Sequence, residues 1–105
     1  MLFMKLISTN INQIRSFCIQ HHVKSLFAFG SITRNALKSG SDIDLLVDID
    51  CSDPLVYSDN YFALKFHLEH LLKRQIDLLE KRAVKNRYLK KNIEETKVLV
   101  YGKGN

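Results

Sequence analysis

The chain is poor in the residues that break or staple a fold. It has one proline and four glycines in 105 residues, which excludes collagen-like and low-complexity classes. Only two cysteines occur, Cys18 and Cys51, 33 residues apart and outside any CxxC. A zinc or redox motif therefore has no support, and two reduced thiols in a cytoplasmic protein are expected. No apolar run approaches the roughly 18 residues of a membrane span. Met1 to Lys5 is apolar but brief, and polar Ser8, Thr9, Asn10 and Asn12 follow in place of a signal-peptide core. Internal repeats and linker-like stretches are missing as well. The expectation is one domain over residues 1–105.

What is present is a globular composition, 46% apolar and 26% charged, above the size at which folds usually need staples. The formal net charge is +5, weak evidence for an anionic partner. Its distribution says more. Residues 39–64 hold six acids, Asp42, Asp44, Asp48, Asp50, Asp53 and Asp59, and no Lys or Arg. Residues 81–91 hold six bases, Lys81, Arg82, Lys85, Arg87, Lys90 and Lys91, and no acid. The first stretch suits cations. The second suits phosphates, nucleic acid or an acidic partner, or is a solvated helix face.

Ile7, Ile11, Ile14 and Cys18 recur at helical spacing, predicting a helix over 8–21 with Ser8 or Thr9 as cap. Val23 to Gly30 reads as a buried strand ending in a tight turn, with a short helical turn at Thr33 to Lys38. Ile43, Leu45, Val47 and Ile49 alternate as one strongly apolar strand face. Asp53-Pro54 suits a helix start, and the spacing of Tyr57, Tyr61, Leu64, Leu68 and Leu71 predicts a helix over 54–72. Residues 74–80 read as a third strand, 83–95 as a helix carrying Val84, Tyr88 and Ile93, and 97–101 as a last strand. The class is α+β, an α/β sandwich: a small mixed sheet with flanking helices.

The strongest chemical signal is Asp42-Ile43-Asp44. Side chains two apart on a strand leave the same face, so the two carboxylates repel unless a cation neutralises them. Hard oxygen ligands of this kind suit Mg²⁺ or Mn²⁺. The buried-looking Leu45-Leu46-Val47 that follows argues that the strand end opens on a cleft. Asp77, inside Gln75-Ile76-Asp77-Leu78-Leu79, completes a three-carboxylate set if the third strand lies beside the second. The alternative is a lone edge aspartate. Phe29-Gly30-Ser31 is the second element: Gly allows a close approach, and Ser31 opens a turn whose N–H groups favour an anion. His67 and His70 lie three apart on a helix; without a third ligand they read as helix-face residues.

Gly30-Ser31-Ile32-Thr33-Arg34, ten residues between Ser31 and Asp42, then Ser41-Asp42-Ile43-Asp44-Leu45-Leu46-Val47, resembles the signature of the DNA polymerase beta-like nucleotidyltransferases. The minimal nucleotidyltransferases, among them the antitoxins of HEPN toxins, are the nearest kind. The resemblance extends to Asp77, where the family has its third carboxylate, and to Lys97–Tyr101. It implies a palm-like nucleotidyltransferase fold, with Asp42, Asp44 and Asp77 as catalytic metal ligands. It implies Gly30, Ser31 and Ser41 at the nucleotide phosphates, Arg34 as a phosphate contact or a support of the loop, and ATP or another nucleoside triphosphate as substrate with Mg²⁺. Asn35 departs from the Gly often found there. The implied reaction is transfer of AMP to a hydroxyl of a partner, a small helical HEPN-type toxin. A non-catalytic binding antitoxin of the same fold is the alternative, and a nucleic-acid-binding module using residues 81–91 is a third reading. Homo-oligomerisation stays open.

Overall fold

A computed structural model describes residues 2–34 and 41–103. The order is α1 (Leu2–Thr9), α2 (Ile11–Gln20), β1 (Val23–Phe29), a 3-10 turn (Gly30–Ile32), β2 (Ile43–Ile49) and α3 (Pro54–Leu72). Then come β3 (Ile76–Glu80), a 3-10 turn (Lys81–Ala83), α4 (Arg87–Thr96) and β4 (Val98–Gly102). The four strands form one sheet in the order β3-β2-β1-β4. β1 runs antiparallel to β2 and β4, and β3 runs parallel to β2. The parallel pair follows from α3, which returns the chain to the edge where β2 began. Among the described residues no helix is long and apolar enough to cross a membrane.

Alternation sorts each strand onto two faces. Leu26 and Ala28 of β1, Ile43, Leu45, Val47 and Ile49 of β2, and Ile76 and Leu78 of β3 pack in one core with Ile14 and Cys18 of α2 and Leu64, Leu68 and Leu72 of α3. The opposite face carries a smaller cluster: Phe27, Phe29 and Leu46 under Ile93 of α4, with Leu79, Val84 and Leu89 against them. The sheet is thus covered fully on one side and partly on the other.

α3 keeps its expected bounds because both ends are fixed by sequence. Asp53 Oδ1 accepts from the N–H groups of Leu55 at 2.9 Å and Val56 at 3.4 Å, and Pro54 needs no N–H at the first helical position. Lys73 closes the helix in the left-handed region at φ 55°. The N-terminal helix differs from expectation. It is two helices, broken at Asn10, whose Nδ2 donates to Leu6 O at 2.8 Å. Such local side-chain bonds let Asn compete with a continuous helix. Ser8 and Thr9 therefore lie in the last turn of α1, Ser8 donating to Lys5 O, and neither caps α2, which Asn10 precedes. The last helix also starts later than expected, because Lys81–Ala83 winds as a 3-10 turn and Asn86 then caps α4 through the N–H groups of Tyr88 and Leu89. That start places Leu89 and Ile93 inward and leaves Tyr88 82% exposed. Tyr88 is a surface residue, against the apolar role its spacing suggested. The expected turn over 33–38 lies mostly outside the described residues, as does Asn35.

Candidate active site

β1 ends at Gly30 in the left-handed region, φ +72°. The chain can turn there because glycine has no Cβ, and the space is needed: a Cβ on Gly30 would sit 3.0 Å from Asp44 Oδ2. Backbone and carboxylate therefore face each other directly. The 3-10 turn that follows is closed by Thr33, whose hydroxyl donates to Gly30 O at 2.9 Å. The N–H of Gly30 is not left for a ligand. It donates to Thr96 Oγ1 at 2.8 Å, and that hydroxyl donates in turn to Asn92 O at 2.7 Å. The last turn of α4 is thereby tied to the end of β1.

β2 and β3 are locked where the carboxylates begin. Ile43 N–H donates to Gln75 O at 3.0 Å, and Arg74 Nη1 donates to Ser41 O at 2.8 Å. Glu69 of α3 accepts from Ile76 N–H at 3.0 Å. The ladder then pairs Ile43 with Ile76 and Asp44 with Asp77, while the β1–β2 ladder pairs Phe29 with Asp44. Register partners share a face, so Asp44 and Asp77 lie side by side on the α4 face at the strand ends that carry Gly30. Asp42 precedes Asp44 by two residues at that end.

Asp44 is half-buried, whereas Asp42 and Asp77 are exposed. Burial first, then the charges of Asp77 and Asp42, hold the Asp44 carboxyl above its ordinary value. A cation beside these groups would favour the ionised carboxylates and oppose that rise. Among the described residues no three His, Cys, Asp or Glu side chains are gathered into a metal-holding group. The carboxylates form a row, not a closed cage. A row fits Mg²⁺, which takes one or two carboxylates, keeps several waters and completes its octahedron with phosphate oxygens. Asp44, which borders Gly30, and Asp42 and Asp77 beside it would be the protein ligands.

The other expected residues are placed as follows. Ser31 is exposed in the 3-10 turn, and Arg34 is exposed just beyond it, its N–H bonded to Gly30 O and Ser31 O. Ser41 is held through its carbonyl by Arg74. His67 stacks on Phe17 at 4.9 Å and on His21 at 5.4 Å, between α2 and α3 and away from the carboxylates. The basic run lies along the second 3-10 turn and α4. Lys85, Lys90 and Lys97 rim a cleft of about 540 Å³ floored by Phe27, Leu46 and Ile93, whereas Asn92 and Thr96 meet Gly30 from the same helix. Sequence reasoning missed Asn92, Thr96 and Arg74, which act through contacts between distant segments, and Glu69, which reaches across the α3–β3 connection to Ile76.

A half-buried carboxylate stands beside two others and borders a glycine turn, an arrangement suited to a metal ion and phosphates. Residues 11–100 match the model of the nucleotidyltransferase domain, and the chain belongs to that family of enzymes. Two proteins of Methanocaldococcus jannaschii, both provisionally named protein adenylyltransferases, are similar to it. One is 42% identical over 82 residues, 77% of this chain and 80% of the relative. The other is 37% identical over 81 residues, with the same coverage. The fold is shared with a structure described as a minimal nucleotidyltransferase (TM-score 0.73, 24% identity, 90% of this chain and 92% of that one). It is also shared with a complex of a tri-AMPylated Shewanella oneidensis HEPN toxin and its MNT antitoxin (TM-score 0.62, 21% identity, 92% and 73%).

Proposed function

We propose that this protein is a Mg²⁺-dependent adenylyltransferase, a single nucleotidyltransferase domain over residues 1–105, that moves AMP from ATP to a hydroxyl of a partner protein in the cytoplasm. The partner proposed is a small helical HEPN-type toxin, for which the chain serves as antitoxin. The observation that carries the reading is the Asp44–Asp77 register pair, with Asp44 bordering Gly30. The names of the Methanocaldococcus jannaschii relatives support the reaction, and the toxin complex among the structural neighbours supports the partner.

A bound divalent ion would neutralise phosphate charge and lower the pKa of the attacking hydroxyl. The chain supplies position. Gly30 lets the triphosphate come close to the backbone, Asp42 and Asp44 would hold its metal ion, and Ser31 offers a hydroxyl to a phosphate oxygen. Asp77 stands beside Asp44 at the acceptor side and takes the proton of the attacking hydroxyl. The new bond joins the acceptor oxygen to the α-phosphorus. The bond to the β-phosphate bridge breaks, and pyrophosphate leaves.

The test is incubation with the partner, Mg²⁺ and ATP labelled at either the α- or the γ-phosphate. Label from the α-position alone should enter the partner. Asp77→Asn should keep Mg–ATP binding and slow transfer by about 10²–10⁴-fold, the usual worth of general-base assistance. Full inhibition of the toxin in nucleotide-free buffer, unaffected by Asp77→Asn, would establish a purely binding antitoxin instead.

A further inference from the structure

We propose that Asn92 is a nucleotide-binding residue, its carboxamide donating a hydrogen bond to a phosphate oxygen of the nucleotide lying over Gly30. The inference rests on the nucleotide site described above and adds to it a contact from α4.

Three observations carry it. First, a Cβ on Gly30 would lie 3.0 Å from Asp44 Oδ2 and 3.9 Å from Asn92 Oδ1, so the carboxylate and the carboxamide border the same small space. Asn92 is half-buried there. Second, the Gly30 N–H is already bound to Thr96 Oγ1 at 2.8 Å. A phosphate over this glycine must find its donors elsewhere; apart from the chain neighbours Phe29 and Ser31, the one side chain bordering Gly30 more closely than Asn92 is the Asp44 carboxylate, which only accepts when ionised. Third, the Asn92 carboxamide makes no hydrogen bond to a described residue. Asn is a poor helix former whose side chain competes with the helix for hydrogen bonds. Its backbone is engaged, since its carbonyl accepts from Thr96 Oγ1, but two amide donors and an acceptor remain unspent. A half-turn about the last side-chain bond presents Nδ2 where Oδ1 now faces Gly30.

The contact is electrically suited to the spot. The neighbouring carboxylates repel a triphosphate, and a neutral donor adds attraction without competing for the metal. The tie from Thr96 to Gly30 fixes the distance, because it anchors α4 one turn beyond Asn92.

The experiment is calorimetric titration of the full chain with Mg–ATP and, separately, with Mg–tripolyphosphate. Wild type is compared with Asn92→Ala and Asn92→Leu, both better helix formers than Asn, and thermal unfolding confirms that each folds. Both variants should weaken both ligands by about 10–100-fold, the worth of one hydrogen bond to a charged group. Equal affinities in wild type and both variants would overturn the inference while leaving the site intact. Weakened ATP with unchanged tripolyphosphate would also overturn it, because the contact would then be to the nucleoside. Wild type that binds neither ligand would sink the site reading itself, and this inference with it.

Discussion

Replacing Thr96 by Val tests whether α4 holds the site together. The two side chains have nearly the same shape, and Thr96 is 8% exposed, so packing changes little. The change removes the acceptor of the Gly30 N–H bond, 2.8 Å long and buried. An unmet buried donor costs about 1–3 kcal/mol. The other bond lost, from Thr96 Oγ1 to Asn92 O, adds little, because helical carbonyls also accept from the backbone. With an unfolding entropy of about 2.1 cal/mol/K per residue, each kcal/mol moves the midpoint of a chain this long by about 4–5 °C. Differential scanning calorimetry should therefore show Thr96→Val melting about 5–14 °C below wild type, with Thr96→Ser much closer to it. Gly30 should also lose its fixed place against Asp44, so Mg–ATP affinity should fall in the Val variant and hold in the Ser variant. A Val variant that melts within about 1 °C of wild type and binds Mg–ATP equally well would refute the latch.

Asp44→Asn should stabilise the free protein at neutral pH while abolishing metal-dependent nucleotide binding. The Asp44 carboxyl is raised above 3.8 in the fold by burial and by Asp77 and Asp42. The folded state therefore binds more protons than the unfolded one in the window between those values. Stability falls as pH rises through that window and stays reduced above it, so the gain from Asn should appear at pH 7 and vanish below the window in pH-dependent denaturant melts. Gly30→Ala should lower the midpoint by about 4–9 °C, from the roughly 1–2 kcal/mol of a left-handed Ala, and block Mg–ATP binding by crowding Asp44 Oδ2; calorimetry reads both. Cys18 is fully buried and its thiol is pushed up to about 12 by burial, so iodoacetamide at pH 8 should label Cys51 in the folded protein and Cys18 only on unfolding, as peptide mass spectrometry would show.

Strand parity was readable from the residues alone. The alternation of Ile43, Leu45, Val47 and Ile49 put Asp42 and Asp44 on one face, and Ile76 and Leu78 put Asp77 on one face of its own strand. Whether those faces coincide depends on sheet order and register, which no local pattern encodes. Motif spacing supplied that link through family resemblance. The break at Asn10 was hidden because Ile7, Ile14 and Cys18 enter one core from two helices at spacings that one helix would also give. Tyr88 was misplaced because the 3-10 turn at Lys81–Ala83 delays α4 and rotates its inward face to Leu89 and Ile93. Thr96 and Gly30 are 66 residues apart, and neither residue type announces such a bond.

The convergence of the site follows from strand direction. β2 and β3 are parallel, so their first residues stand at the same edge, and Asp44 meets Asp77 there. β1 is antiparallel to β2, so its last residue arrives at that edge and brings Gly30. β4 is antiparallel to β1 and starts there too, with Val98 opposite Ala28. Its approach forces the end of α4, Thr96, to the same place. Four chain segments thus reach one corner for topological reasons, before any side-chain chemistry acts. Had β2 and β3 been joined as a hairpin, their starts would lie at opposite edges, and the same sequence motifs would be separated by the length of a strand. The long, doubly capped α3 is therefore as necessary to the carboxylate row as the aspartates, although none of its residues belongs to that row.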